Sequence, residues 1–224
     1  MTGIVRNTYQ HELTNLVELA EYFGKNENSH LKAGHNSILL CNNNNVNLNF
    51  IVSNGSDQNE LLNFIRDAKI MCDSFFYVYL SHSNDQLLKS ISIDGRIEIF
   101  KGSTLFIKPR NTDVIQNNGY EFKESIIDSQ LENVEYIKDS NVIGSMMLFY
   151  DGQDMGIYEL VIDLAHRMMG FGRRMINYAI NAAYRKGAKL LVVQVEDNLS
   201  TFYIKLGFDK LGNISVVKIK TQPR

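Results

Sequence analysis

The chain has 224 residues, 44% of them hydrophobic and 21% charged, with a formal net charge of -2 and a pI near 6.2. A globular chain of this length forms one large domain or two small ones, and it has no global basic field to draw nucleic acid or an anionic membrane, so any positive site must be local. Cys41 and Cys72 are the only cysteines and show no CxxC or Cys/His spacing, which argues against a disulfide framework and a zinc site; the reading is two buried free thiols, with pairing as the alternative.

The N-terminal stretch has no basic segment followed by an apolar core, so it does not read as a secretory signal. No apolar run approaches the roughly 20 residues that span a bilayer. The expectation is a soluble, cytoplasmic protein. Residues 8 to 23 carry Leu13, Leu16, Val17 and Ala20 at helical spacing and end at Gly24. "NSILLC" and "VNLNFIV" read as strands flanking the run Asn42 to Asn45, a hairpin turn because asparagine tolerates positive φ. "NELLNFIRDAKIM" is an amphipathic helix capped by Ser56 or Asp57. "SFFYVYL" is a buried strand, "NDQLLKSI" a short helix, and "RIEIF" with "STLFIKP" a hairpin.

A second half begins near Asn111. "ENVEYIK" and "VIGSMMLFY" are antiparallel strands joined at "DSN", and "GIYELVIDLA" is a third. A helix follows from Gly172 to Lys186, with Ile176, Ala179, Ile180 and Ala183 on one face and Gly187 as its C-cap. "KLLVVQVE" is a buried strand, Leu199 to Leu206 a short helix, and "FDKL" and "ISVVKIK" close the chain as strands. The two halves share the order strand, strand, helix, strand, helix, strand, strand. That order predicts one fold unit used twice, residues 1–110 and 111–224, although no residue-level repeat is visible; a single domain with an N-terminal extension is the alternative.

The stretch "LAHRMMGFGRRMINYAINAAYRKG", Leu164 to Gly187, puts two glycines and three arginines at a helix start, where glycine destabilises and positive charge opposes the dipole. A bound anion answers both objections. The first turn of a helix offers N–H donors without intrahelical partners, and Gly170 and Gly172 let an oxygen approach the backbone. Arg167, Arg173 and Arg174 add charge-assisted bonds at the rim. No GxxxxGK[ST] is present, and Met175 stands where a GxGxxG fingerprint needs glycine. The remaining pattern, Arg167-x-x-Gly170-x-Gly172, also fits a glycine-relieved strand-to-helix turn with solvated arginines.

One strand later comes "STFYIKLGF", Ser200 to Phe208. Arg-x-x-Gly-x-Gly, a helix, a strand, then Phe-Tyr-x-Lys-x-Gly-Phe resembles the GNAT superfamily of acyl-CoA-dependent N-acyltransferases, over about Tyr120 to Lys220. The first half is similar only in element order, and its corresponding loop "SNGSDQ" lacks the glycine pattern, so the resemblance casts it as a half that has lost coenzyme binding. The implied fold is α/β (α+β): a mixed, mostly antiparallel central sheet flanked by helices, a tandem of two GNAT-like units. The resemblance implies that Arg167, Met168, Met169, Gly170, Phe171, Gly172 and Arg173 wrap the pyrophosphate of coenzyme A through backbone N–H groups, and that Leu160, Val161 and Ile162 pair with the pantetheine amides. Tyr203 aligns with a tyrosine that protonates the leaving thiolate in many relatives; the alternative is an aromatic packed beneath the coenzyme.

The sequence departs from the family pattern in places. Glu196 stands where an asparagine is common, with Asn198 two residues later as the substitute pantetheine contact. Glu159 is the only carboxylate on the strand before the loop and so the candidate general base, but it is one residue out of the usual register, facing the wrong side unless a bulge intervenes. His166 reads as an exposed loop histidine and Asp163 as a turn former. The implied activity is acetyl (acyl) transfer from acetyl-CoA to an amine by direct attack, without a metal; the alternative is a non-catalytic coenzyme-binding or interaction module. The acceptor is an unidentified amine, nothing points to nucleic acid or a membrane, and an oligomer stays open. Glu121, Glu124, Asp128, Glu132 and Glu135 either line an acceptor groove or form a solvated acidic surface.

Overall fold

The structure is a computed structural model that describes residues 13–25, 27–42, 45, 48–72, 74–81, 85–91, 97–111 and 120–221. Parts of several expected elements lie outside the described residues: 8–12, 43–44, 46–47, 84, 96 and the stretch 112–119 after the expected boundary. In chain order the elements are α1 (Thr14–Phe23), β1 (Ser29–Ala33), β2 (Ser37–Asn42), β3 (Phe50–Ser53), α2 (Gln58–Met71), β4 (Phe75–Leu80), α3 (Asp85–Ile91), β5 (Ile97–Ile107), β6 (Tyr120–Ile126), β7 (Leu131–Lys138), β8 (Asn141–Tyr150), β9 (Met155–Ile162), α4 (Phe171–Lys186), β10 (Leu191–Glu196), α5 (Asp197–Ile204) and β11 (Asp209–Lys220). The fold is mixed α/β, with a large, mostly antiparallel sheet flanked by helices. Two compact units emerge, one of residues 1–104, 195–201 and 210–224, the other of 105–194 and 202–209.

In the first unit the strand order is β1-β2-β3-β4-β11-β5. Helix α2 buries Leu61, Phe64, Ile65 and Ala68 against a sheet face made of Leu39, Cys41, Ile51, Phe76, Val78, Leu80, Val217 and Ile219. Strands β3 and β4 run parallel on either side of this crossover. Asp57 caps α2, its carboxylate accepting the Glu60 N–H at 2.9 Å.

Three readings of this unit need correction. Cys41 and Cys72 are bonded to each other as a disulfide, because α2 packs on β2 and brings its C-cap, Cys72, to 5.7 Å between Cα atoms from Cys41. "RIEIF" and "STLFIKP" are one strand, β5, not a hairpin. Gly102 lies inside it because a Cβ there would sit 2.6 Å from the Val195 carbonyl oxygen, a close backbone approach and not a turn. "FDKL" and "ISVVKIK" likewise merge into the single strand β11, whose residues 215–220 pair antiparallel with β4. The disulfide predicts that the denatured, unreduced chain reacts with no thiol reagent, and that reductant releases two thiols; two reactive thiols before reduction would contradict it.

The second unit has the order β10-β9-β8-β7-β6. Strands β6 to β9 form an antiparallel meander, and α4 crosses over to β10, parallel to β9. The expected apolar face of α4, Ile176, Ala179, Ile180 and Ala183, is buried, together with Phe171, Met175 and Tyr178. An aromatic cluster of Tyr120, Phe122, Tyr136, Phe171 and Tyr178 joins this helix to β6 and β7. Gly187 ends α4 at φ +72°, as its C-cap reading requires. Strands β1 and β6 were not legible as strands, since both are largely exposed and lack apolar alternation. Among the described residues no helix is long and apolar enough to cross a membrane.

Candidate active site

The site is built where two parallel strands part. β9 and β10 pair over Met155–Ile157 and Leu191–Val193. Past this paired stretch β9 continues to Ile162, and Leu160 to Ile162 are the part of its edge that can meet another chain or a ligand. At the parting lies a bulge: Tyr158 pairs with Met147 and Val161 with Ser145, so Glu159 and Leu160 together oppose Met146. Glu159 is exposed and sits at φ +51°, a left-handed conformation that disfavours any residue with a Cβ. The register problem read from the sequence therefore falls on a bulge at that very residue.

The chain then turns through one turn of 3-10 helix, Leu164 to His166, into the arginine–glycine loop. Asp163 stands at the start of this turn, and its carboxylate lies 2.8 Å from His166 Nδ1, which holds it below the usual carboxylate range. His166 is thus half-buried and paired, not a free loop histidine. Arg167 donates its Nε–H to the Ile162 carbonyl at 3.0 Å, tying the loop back to the strand end. Met168 takes φ +61° and Gly170 φ +84°, and a Cβ on Gly170 would meet nothing within 4 Å. Gly170 is therefore required by conformation and faces open space. It is the N-cap of α4, and the earliest bond of that helix runs from the Arg174 N–H to its carbonyl at 3.3 Å. The N–H groups before it are the cluster the anion reading needs.

The three arginines do not act alike. Arg174 turns inward, 3.3 Å from the Tyr136 hydroxyl and against the Phe171 ring. Arg167 is held at Ile162, and Arg173 is exposed. Phe171 is buried among aromatics, so its side chain belongs to the core and only its backbone to the loop. Gly172 carries a constraint beyond the one read in the sequence: a Cβ there would come within 3.3 Å of Phe202 Cζ. Phe202, which the sequence reading passed over although it sits inside the Phe-Tyr-x-Lys-x-Gly-Phe motif, packs on the loop's helix start.

α5 begins directly after β10, two residues earlier than expected, so Tyr203 lies in its last turn and not in its N-terminal region. Tyr203 is 5% exposed and packs edge-on against Phe202 and Phe208. Burial pushes its hydroxyl up to about 12, so it stays protonated at neutral pH. Asn198 is exposed and donates to the Glu196 carboxylate at 3.2 Å.

Residues 133–210 match a family model described as the acetyltransferase (GNAT) domain. This segment is therefore similar to the GNAT acetyltransferase domain. The fold is also that of several solved structures: a GCN5-related N-acetyltransferase from Kribbella flavida (16% identity, TM-score 0.63, covering 94% of this chain and 96% of that one), a GCN5-related N-acetyltransferase-like protein from Streptococcus suis (10%, 0.60, 93% and 99%), and a tandem GNAT protein from the clavulanic acid biosynthesis pathway (9%, 0.51, 88% and 85%). No curated protein sequence matches the chain.

The acidic residues of β6, β7 and their turn are dispersed. Glu132 is buried and accepts the Tyr178 hydroxyl at 2.8 Å; burial, then Glu124 and Glu132, drive the Tyr178 hydroxyl far upward. Glu135 pairs with Lys123 at 3.7 Å. Asp128 caps the β6–β7 turn through the Gln130 and Leu131 N–H groups. Glu121, on the same face of β6 as Lys123, is exposed. Much of this acidity serves the strands' own packing and turns.

In the first unit the strand–loop–helix from β3 to α2 matches β9 to α4 in order and parallel pairing, but its loop satisfies itself. Ser53 Oγ accepts the Gly55 N–H at 3.1 Å, and Asn54 Oδ1 accepts the Ser56 N–H at 2.9 Å. Asp57 caps Glu60, whose own carboxylate accepts the His35 and Asn36 N–H groups at 3.0 and 2.8 Å. Donors that face outward in the second unit are met here by internal oxygens, two of the acceptors being carboxylates.

Proposed function

We propose that the GNAT domain transfers an acetyl or other acyl group from its coenzyme A thioester to an amine by direct attack. The observation that carries this reading is the bulge of β9 at Glu159–Leu160, followed within the same segment by the αL turn at Gly170 that opens α4. Backbone N–H groups of 167–173 hold the diphosphate, and the edge of Leu160, Val161 and Ile162 bonds the pantetheine amides. The amine nitrogen forms a bond to the acyl carbon, the carbon–sulfur bond breaks, and the proton lost by nitrogen ends on sulfur. A strand N–H meets the developing oxyanion. The Tyr203 hydroxyl meets the developing thiolate, and Glu159 takes the amine proton directly or through water. The remaining gain is positioning.

The test is release of free thiol from acetyl-CoA over a panel of amines. Thiol release that depends on one amine class supports the reading; tight coenzyme binding with no turnover on any amine favours the non-catalytic module.

We further propose that the chain is a tandem in sequence, residues 1–110 and 111–224, whose N-terminal half has lost coenzyme binding. Its self-satisfied loop supports this, since an incoming diphosphate would displace internal acceptors and meet Asp57 and Glu60. Native mass spectrometry should then count one coenzyme A per chain, and two would overturn it. A cytoplasmic reaction fits an acyl-CoA donor, and both sulfurs of the Cys41–Cys72 bridge are buried, which shields them from thiol reductants.

A further inference from the structure

The loop that we assign to the diphosphate is rimmed by apolar side chains that main-chain anion binding does not use. Leu164 is 76% exposed, Met168 103%, Met169 60% and Val161 52%, all within nine residues of chain. The exposed Arg167 and Arg173 stand among them; Asp163, within the same stretch, pairs with His166, and from Leu164 to Arg174 no acidic residue occurs. Exposed methionine and leucine beside arginine, without lysine or glutamate, is the composition of a protein-docking surface and not of ordinary solvated loop. Methionine suits it further, because an unbranched thioether repacks against differing partners.

The position of the patch selects the partner. It lies at the diphosphate end of the slot, its apolar residues two to ten positions beyond Glu159 in the bulge where acyl transfer is proposed, so a protein docked here faces the donor side. A protein that must reach the slot from this side has to supply a long arm ending in a thioester. We propose that the patch docks an acidic carrier protein whose own phosphopantetheine arm threads the slot, so that the acyl donor is carrier-bound as well as coenzyme-bound. Its acidic surface meets Arg167 and Arg173, its apolar residues cover Leu164, Met168 and Met169, and its single phosphodiester takes the loop N–H groups. The transfer balances as before: the amine nitrogen bonds to the acyl carbon, and the carrier's thiol leaves with the proton. This rests on the coenzyme-slot reading of the same loop.

The experiment measures binding of four probes by titration: coenzyme A, a phosphopantetheine-bearing acyl carrier protein, the same carrier without its arm, and vesicles containing anionic lipid. The wild type should bind the armed carrier at least tenfold more tightly than the armless one, and coenzyme A should compete. Leu164→Glu, a change at an exposed site outside the loop, should weaken the armed carrier tenfold or more and leave coenzyme A within about twofold. Coenzyme A binding without carrier binding overturns the docking surface and spares the slot. Vesicle binding without carrier binding makes the patch a lipid surface and overturns the proposal. Equal loss of both ligands in Leu164→Glu overturns it too, and failure of coenzyme A itself removes the slot reading beneath it.

Discussion

Gly170→Asp is expected to lower coenzyme A affinity by at least 100-fold, and Gly170→Ala by less than tenfold. Both substitutions put a Cβ on a residue at φ +84°, and both share the cost of about 1–2 kcal/mol for a left-handed conformation. Neither meets a steric obstacle, because a Cβ there has open space for 4 Å. Only the aspartate adds charge. Two negative groups about 4 Å apart repel by roughly 4 kcal/mol at the effective dielectric of a protein surface, and screening reduces this towards the 100-fold expected. The carboxylate also places negative charge at the positive end of the α4 dipole, where the diphosphate would sit. Stability and affinity should therefore move in opposite directions: Gly170→Asp unfolds at or above the temperature of Gly170→Ala while binding far more weakly. Calorimetric titration with coenzyme A and thermal unfolding of both variants check this. Equal affinities would mean that the loop does not hold the anion. Gly172→Asp is the less clean probe, since its side chain also presses on Phe202.

Periodicity made the helices legible. α4 was readable to within one residue because its apolar face, its arginine-rich start and Gly187 all agree. The strands of the meander followed from runs such as "VIGSMMLFY". What local pattern does not carry are long-range contacts. The hairpin expected around Gly102 is one strand, and this glycine relieves a clash with a carbonyl more than 90 residues away. Gly172 reads as room for an oxygen, and that a Cβ there would also come within 3.3 Å of a ring from α5 is seen only in the fold. The disulfide was illegible for the same reason: Cys41 and Cys72 are 31 residues apart and meet only when α2 lies down on β2. The bulge at Glu159 was visible only as a register conflict. A conflict of that kind, between a motif's spacing and strict alternation, is the local trace of a non-local irregularity. The Asp163–His166 pair left the weakest trace, two polar residues three apart on a turn too short to show a period.

Tyr203→Phe should lower kcat by roughly 100-fold, the usual size of the loss of one hydrogen-bond donor to charge that develops in the transition state, with little change in coenzyme affinity. The buried ring keeps its edge-on packing against Phe202 and Phe208 in the variant, because phenylalanine fills nearly the same volume. How the hydroxyl helps follows from its acidity. It lies at about 12, some three to four units above an ordinary thiol near 8.5, so full proton transfer to a free thiolate is uphill by roughly 5 kcal/mol. Tyr203 therefore stabilises the sulfur by donating a hydrogen bond as charge builds, and the amine's proton reaches sulfur later. Two consequences can be measured. A donor whose leaving thiol is more acidic needs less of this help, so the Tyr203→Phe defect should shrink with it. The group is raised above its ordinary value, so it remains protonated and active until the pH climbs towards 12; wild-type kcat should show no basic limb from this tyrosine below about pH 11. Steady-state kcat and KM with two donors of different thiol acidity, followed across pH, separate this from packing alone. A packing role predicts a small change in kcat that is the same for both donors, and that result would leave the slot with a coenzyme site and no acid at Tyr203.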